Sequence, residues 1–205
     1  MSEVDFVPEV LPEARIEPLA VVTRWIVEAA ATGAPHPNSM VLATVGRDGR
    51  PDARVVLLKG VEGRSLVFYT NHESKKGMDL EALPFAAVVF HFPTLERQIR
   101  ASGPVTWVDR PAAEDYFSSR PRGSQLGAWA SAQSRPLESR FELTRRLSEL
   151  EELYEGREVP TPPYWGGYRV EVRTLELWVG RPDRLHDRFR FELDGDAPVA
   201  RRLSP

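Results

Sequence analysis

Cysteine is absent from the 205-residue chain. That excludes a disulfide, a thiolate nucleophile, a thiolate-bound zinc and a cysteine-ligated iron–sulfur cluster. Long apolar runs are missing too, the longest, such as Phe85 to Phe90, being far short of the ~20 residues that span a bilayer. The opening MSEVDFVPEVLPEARIEP has neither the basic start nor the apolar core of a secretory signal, so residues 1–17 read as a flexible tail and a cytoplasmic location is expected. Charge of either sign is not in large excess. A net charge of −3 and a pI near 5.9 argue against a protein built around nucleic acid or an anionic membrane. The 4 histidines, His36, His72, His91 and His186, lack metal-ligand spacing, so no metal is expected. GxGxxG after a strand, GxxxxGK[ST], HExxH and GxSxG are all missing, and no carboxylate pair stands in helical register. If such a chain is an enzyme, a bound organic cofactor carries the difficult step.

What is present is a chain 41% hydrophobic, enough to bury one good core, and residues 18–205 read as a single domain without internal repeat. Val22, Trp25, Ile26 and Ala29 recur at helical steps between Pro18 and Gly33. Met40 to Val45 and Ala53 to Leu58 flank Asp48-Gly49 as a hairpin, and Ser65 to Thr70 reads as a strand. Ser74 caps a short helix that stops before Pro84, and Phe85 to Phe92 and Arg97 to Val108 are strands. Helical patterns follow at Pro111 to Ser119 and Pro136 to Glu155, the second with a Phe141, Leu147, Leu150, Leu153 stripe expected to face the core. Tyr168 to Val179 and Phe189 to Leu193 return to strand character after a proline linker. This order predicts a mainly β chain with flanking helices, an antiparallel barrel.

Cations and hydroxyls gather at strand ends and turns: Arg54 and Lys59, Ser74-Lys75-Lys76, Arg120-Pro-Arg122-Gly-Ser124, and Arg184 with Arg188. Such groups bind phosphate through charge-assisted hydrogen bonds; any single pair reads better as solvated surface, and it is their number beside aromatic and amide residues that favours phosphate. Tyr116 and Arg120 are four apart on an expected helix, with Ser124 just beyond, which makes either a phosphate clamp or a surface tyrosine stacked on arginine.

The stretches RVVLLK (54–59), FYTNHESKK (68–76), TLERQ (94–98), YFSSRPRGSQLGAWASAQS (116–134), YWGGYRV (164–170) and LWVGRPDRLHDRF (177–189) resemble, in order, the signatures of the pyridoxamine 5'-phosphate oxidases. The resemblance implies an FMN-binding split β-barrel that forms a homodimer with FMN at the subunit interface. It also implies oxidation of pyridoxamine or pyridoxine 5'-phosphate to pyridoxal 5'-phosphate, with O2 reduced to H2O2. By the same resemblance, FMN is held by Arg54, Val55, Val56, Leu57, Leu58, Lys59, Tyr69, Thr70, Lys75, Lys76, Gln98, Gln133, Ser134, Trp178 and Arg188. The substrate phosphate meets Lys59, Tyr116, Arg120 and Ser124, and Arg184, Leu185 and His186 lie near the reacting carbon, with Arg184 and His186 as the catalytic pair. Read without the family, Trp178 suits plain core and Gln133 and Ser134 a loop cap. Two departures are visible: Lys75 stands where the family often has arginine, and the acidic start offers no match to the basic, tyrosine-bearing segment of some relatives. Alternatives within the fold are a flavin oxidase of phenazine-type precursors and a non-enzymatic flavin or haem carrier.

Overall fold

The computed structural model describes residues 17–195 and 197–205, so the expected tail lies almost wholly outside the described residues. The chain begins with α1 (Pro18–Ala31), β1 (Ser39–Val45), β2 (Pro51–Leu57), β3 (Gly60–Glu62), β4 (Ser65–Asn71) and α2 (Lys75–Ala82). It continues through β5 (Phe85–Phe92), β6 (Arg97–Trp107), α3 (Arg110–Ser118), α4 (Arg122–Ala130) and α5 (Arg140–Leu153). Four strands close it: β7 (Trp165–Glu171), β8 (Thr174–Val179), β9 (Asp187–Glu192) and β10 (Val199–Leu203).

These strands form one mixed-length, wholly antiparallel sheet in the order β10-β9-β8-β6-β5-β1-β2, with β7 joined to β6 and β4, and β4 to β3. The sheet curls because the long strand β6 serves two neighbours. Arg97 to Ser102 pair with β8, whereas Val105 to Trp107 pair with β7. At the bend a Cβ on Gly103 would lie 1.7 Å from the Glu171 carbonyl oxygen, so only glycine allows the strands to approach. Alternation does the rest: Ala86, Val88, Phe90 and Phe92 point inward from β5 to meet Met40 and Leu42 of β1. Helix α1 seals the open side with Leu19, Val22, Trp25 and Ala29, and Trp25 packs edge-on to Phe92 at 6.3 Å. The result is a mainly β half-barrel with flanking helices. Among the described residues no helix is long and apolar enough to cross a membrane.

Three local expectations need correction. The single strand expected over Tyr168 to Val179 is two, β7 and β8, which pair with different stretches of β6. Helix α4 occupies a stretch whose Pro, Gly and Ser read as a turn; burial of Leu126 and Ala130 overrides that weak local preference. Helix α5 buries no residue, and Phe141 is 74% exposed, so its apolar stripe does not face the core. Only Leu147 and Leu150 touch the second apolar cluster, around Phe117, Leu126, Val159 and Trp165, because α5 lies on the rim of α4 rather than on the sheet.

His72 sits where that second cluster meets the sheet. Its backbone N–H donates to the Tyr164 carbonyl at 2.7 Å, and its ring packs edge-on to Trp107 at 4.0 Å. Burial, reinforced by the Arg110 charge, holds its pKa down to about 4. The unfolded chain therefore binds more protons than the folded one between about pH 4 and 6.5, and stability falls as pH is lowered through that window. The loss should reach about 2 to 3 kcal/mol. Urea unfolding at pH 7 and pH 4.5 checks it: His72→Leu should remove this part of the acid sensitivity, and an unchanged pH response in the variant would show that the imidazole is not held neutral.

Candidate active site

Strand β4 and the start of β7 place the first wall. Tyr69 lies opposite Gly167 in the β4–β7 register, where a Cβ would come within 2.8 Å of the tyrosine ring. Glycine thus lets the ring lie flat, and it stacks on Tyr116 at 4.1 Å and on Trp165 at 5.4 Å. Burial pushes the Tyr69 phenol up, keeping it protonated. The opposite wall is the α3–α4 corner. Gln125 is buried within this corner and its Nε2 donates to the carbonyls of Phe117, Ser118 and Arg120, which fixes the turn carrying Arg120. Between the walls opens a cleft of about 370 Å³, floored by β2 at Val55, Val56 and Leu57 and edged by Lys59, Thr70, Lys76, Ser124 and Gln133.

Its electrostatics are lopsided. Lys76 is buried, and its Nζ donates to Thr70 Oγ1 at 3.2 Å, Ser74 Oγ at 3.1 Å and Gln133 Oε1 at 2.9 Å, all neutral acceptors. Burial, with the nearby Arg54 charge, lowers its pKa to about 8. Arg120 places its guanidinium 4.9 Å from the centre of the Trp165 ring, and its Nη1 is buried without a hydrogen-bond partner. Lys59 Nζ lies 5.9 Å from the Tyr116 ring centre. None of the three has a carboxylate partner among the described residues. A cleft of aromatic walls and three uncompensated cations suits a planar ligand bearing phosphate.

Arg54 and Lys75 differ. Arg54 donates to Asp52 at 2.6 Å and to Thr44 Oγ1 at 2.8 Å, while Lys75 Nζ lies 2.5 Å from Asp79 Oδ1. The Arg54 guanidinium holds the Asp52 carboxyl below its usual range. Leu58 turns its side chain into the core. Ser134 adopts a left-handed backbone beside Gln133, outside the cleft lining.

A second constellation stands elsewhere on the sheet. Gln98 of β6 pairs with Trp178 of β8, which pairs with Arg188 of β9, and His186 tilts against Trp178 with ring centres 4.6 Å apart. Arg184 and Leu185 occupy an exposed loop beside them. Strand β8 is four pairings from β2, roughly 19 Å along the sheet at about 4.8 Å per strand. The residues expected to hold one ligand therefore form two groups within one chain. Trp165 and Gln125 were not among the sequence-derived candidates; their only signal lay inside the YWGGYRV and SRPRGSQ stretches.

Comparison with known proteins returns two family models: "Pyridoxamine 5'-phosphate oxidase" over residues 26–154 and "Pyridoxine 5'-phosphate oxidase C-terminal dimerisation region" over residues 165–205. A pyridoxine/pyridoxamine 5'-phosphate oxidase of Rubrobacter xylanophilus is 51% identical over 92% of this chain and 87% of its own. One from Burkholderia multivorans is 51% identical over 94% and 91%. Among solved structures, PhzG of Burkholderia lata in complex with tetrahydrophenazine-1-carboxylic acid superposes with a TM-score of 0.88 at 30% identity, covering 96% of this chain and 98% of that one. A pyridoxamine 5'-phosphate oxidase-related, FMN-binding protein of Nostoc punctiforme gives 0.76 at 16% identity over 94% and 100%, a likeness of fold.

Proposed function

Because this chain belongs to the pyridoxamine 5'-phosphate oxidase family, we propose that it binds FMN and oxidises pyridoxamine or pyridoxine 5'-phosphate to pyridoxal 5'-phosphate. The observation that supports this most is the trio Lys59, Lys76 and Arg120, cations without carboxylate partners around one aromatic cleft. Lys76 with Thr70 and Gln133, above the β2 floor, would hold the cofactor. Arg54 and Lys75 belong to the same set, but Asp52 and Asp79 already neutralise them, so they bring less net charge to a phosphate. Lys59, Tyr116, Arg120 and Ser124 would grip the substrate phosphate, and Tyr116 lies in the stack that orders the wall. When bound, FMN supplies the two-electron acceptor for the substrate's C4' hydride, and dioxygen restores it with release of hydrogen peroxide. The chain's own contribution is alignment: anchoring a remote phosphate sets the ring and its reacting carbon in place.

The likeness to PhzG favours a second reading, oxidation of a phenazine-type precursor. One assay separates the two. Protein loaded with FMN is incubated in air with each phosphorylated vitamer and with tetrahydrophenazine-1-carboxylic acid, each beside an enzyme-free control, while peroxide and pyridoxal 5'-phosphate are followed. Turnover of the phenazine precursor alone, or a protein that refuses FMN, would overturn the B6 reading.

The two separated constellations fit one site shared between subunits of a homodimer, in line with the matched dimerisation region. Arg120→Ala and Arg184→Ala, each well below wild type alone at subsaturating substrate, should then complement on mixing through a denaturation and refolding step. About a quarter of wild-type activity is expected, since half of the dimers are mixed and each carries one intact site. No recovery, with mixed dimers verified by mass spectrometry, would place both residues in one chain's site.

A further inference from the structure

The loop between β8 and β9 carries Arg184 and His186, and its backbone is unusual. Asp183 and Arg184 are consecutive non-glycine residues in the left-handed region, with φ of 57° and 62°. Each such residue disfavours the loop shape, so neighbouring contacts must over-determine it. The neck is tied by the Gly180 N–H, which donates to the Glu96 carbonyl at 2.7 Å. The far side is tied by a single carboxylate. Asp187 accepts from Arg181 Nε at 2.7 Å through one oxygen and from Arg202 Nη1 at 2.9 Å through the other. Its side chain is only 19% exposed, while Arg202 also lies over the Phe189 ring at 4.6 Å. Asp187 thus joins the start of the loop, its end and strand β10.

Holding Arg181 has a chemical effect on His186. The Arg181 backbone N–H donates to His186 Nδ1 at 3.1 Å. A backbone N–H can only donate, so Nδ1 must be the acceptor and the neutral ring must carry its proton on Nε2. Trp178 supports one face of the ring.

We propose that Asp187 is a positioning residue: through Arg181 and Arg202 it holds the strained loop in the one shape that makes His186 an Nε2–H donor toward the substrate. This rests on the reading above, in which Arg184 and His186 meet the substrate. In that role His186 donates a hydrogen bond to an oxygen or nitrogen of the substrate ring system and does not abstract the proton that leaves the reacting carbon. Both Asp187 oxygens are taken up by Arg181 and Arg202, so its effect is assigned through them.

The test uses FMN-loaded protein labelled with nitrogen-15 histidine, with the His186 signals identified by their loss in His186→Gln. Wild type should show one neutral tautomer, protonated at Nε2. Asp187→Asn should show a mixture of tautomers, a kcat roughly tenfold to hundredfold lower, and unchanged FMN content. Arg202→Gln, which removes one exposed arm of the clamp, should move both readouts in the same direction and decides the matter if Asp187→Asn does not fold. Asp187→Glu should recover part of the loss. A tautomer or a kcat that stays at the wild-type value in both variants overturns the proposal. If wild type turns over no B6 phosphate, the functional reading fails, while the tautomer measurement still reports on the clamp.

Discussion

Arg120→Ala is expected to lower kcat/KM for the phosphorylated vitamer by roughly tenfold to hundredfold, the worth of one charge-assisted contact, while FMN content stays unchanged. The guanidinium is held by stacking on Trp165 and Phe117 and by the Gln125-fixed turn beneath it. No carboxylate competes for it, and one of its N–H groups has no partner. Its charge is thus available to a ligand, even though burial lowers its pKa from the usual arginine value. Arg120→Lys should recover only part of the loss, because an ammonium cannot reproduce the planar fork. Unphosphorylated pyridoxamine is the control: it lacks the group that Arg120 would hold, so its slow turnover should change little. Equal losses on both substrates would point to a disturbed fold, and loss of flavin would move Arg120 to the cofactor site.

Lys76→Met should act in the opposite compartment, raising the FMN dissociation constant by about tenfold to hundredfold. It should also make the protein stripped of flavin more stable. The wild-type ammonium is buried among neutral acceptors, and its pKa of about 8 records that cost. The unfolded chain, with lysine near 10.5, binds more protons between about pH 8 and 10.5, so stability of the stripped protein rises with pH across that window. The penalty present below about pH 8 is of the order of 3 kcal/mol, and Met should relieve part of it. A phosphate beside Lys76 would restore the protonated form, so FMN affinity should fall as pH rises above about 8. Flavin fluorescence titrations and thermal melts at pH 7.5 and 9.5 measure both effects. A variant that binds FMN as wild type does would remove Lys76 from the cofactor site.

Much of this architecture is legible in the sequence alone. Alternation in Phe85 to Phe92 is a strand signal because one face of the sheet is buried, and Ser74 announces α2 because its hydroxyl accepts the Gly77 N–H. Helix α4 was not legible, since local propensity in RGSQLGAWA is weak and the burial of Leu126 decides it. The exposed stripe of α5 was misread for a related reason: periodicity shows that a helix has an apolar face, not that anything deep covers it.

The same division runs through the site. The residue types and their order along the chain, from RVVLLK to RLHDRF, are properties of the sequence, and they suffice to identify the family and the cations involved. Which cations end up buried without a carboxylate is a tertiary property. Arg54 and Lys75 have their carboxylates at local spacing, Asp52 two residues away on β2 and Asp79 one turn along α2, whereas only packing buries Lys76 among neutral acceptors and lays Arg120 on Trp165. Coulomb energy depends on separation and local dielectric, and for residues far apart in the chain neither can be read from spacing. Only the folded sheet, by its register and curl, sets those distances and parts the cleft from the loop that bears Arg184 and His186.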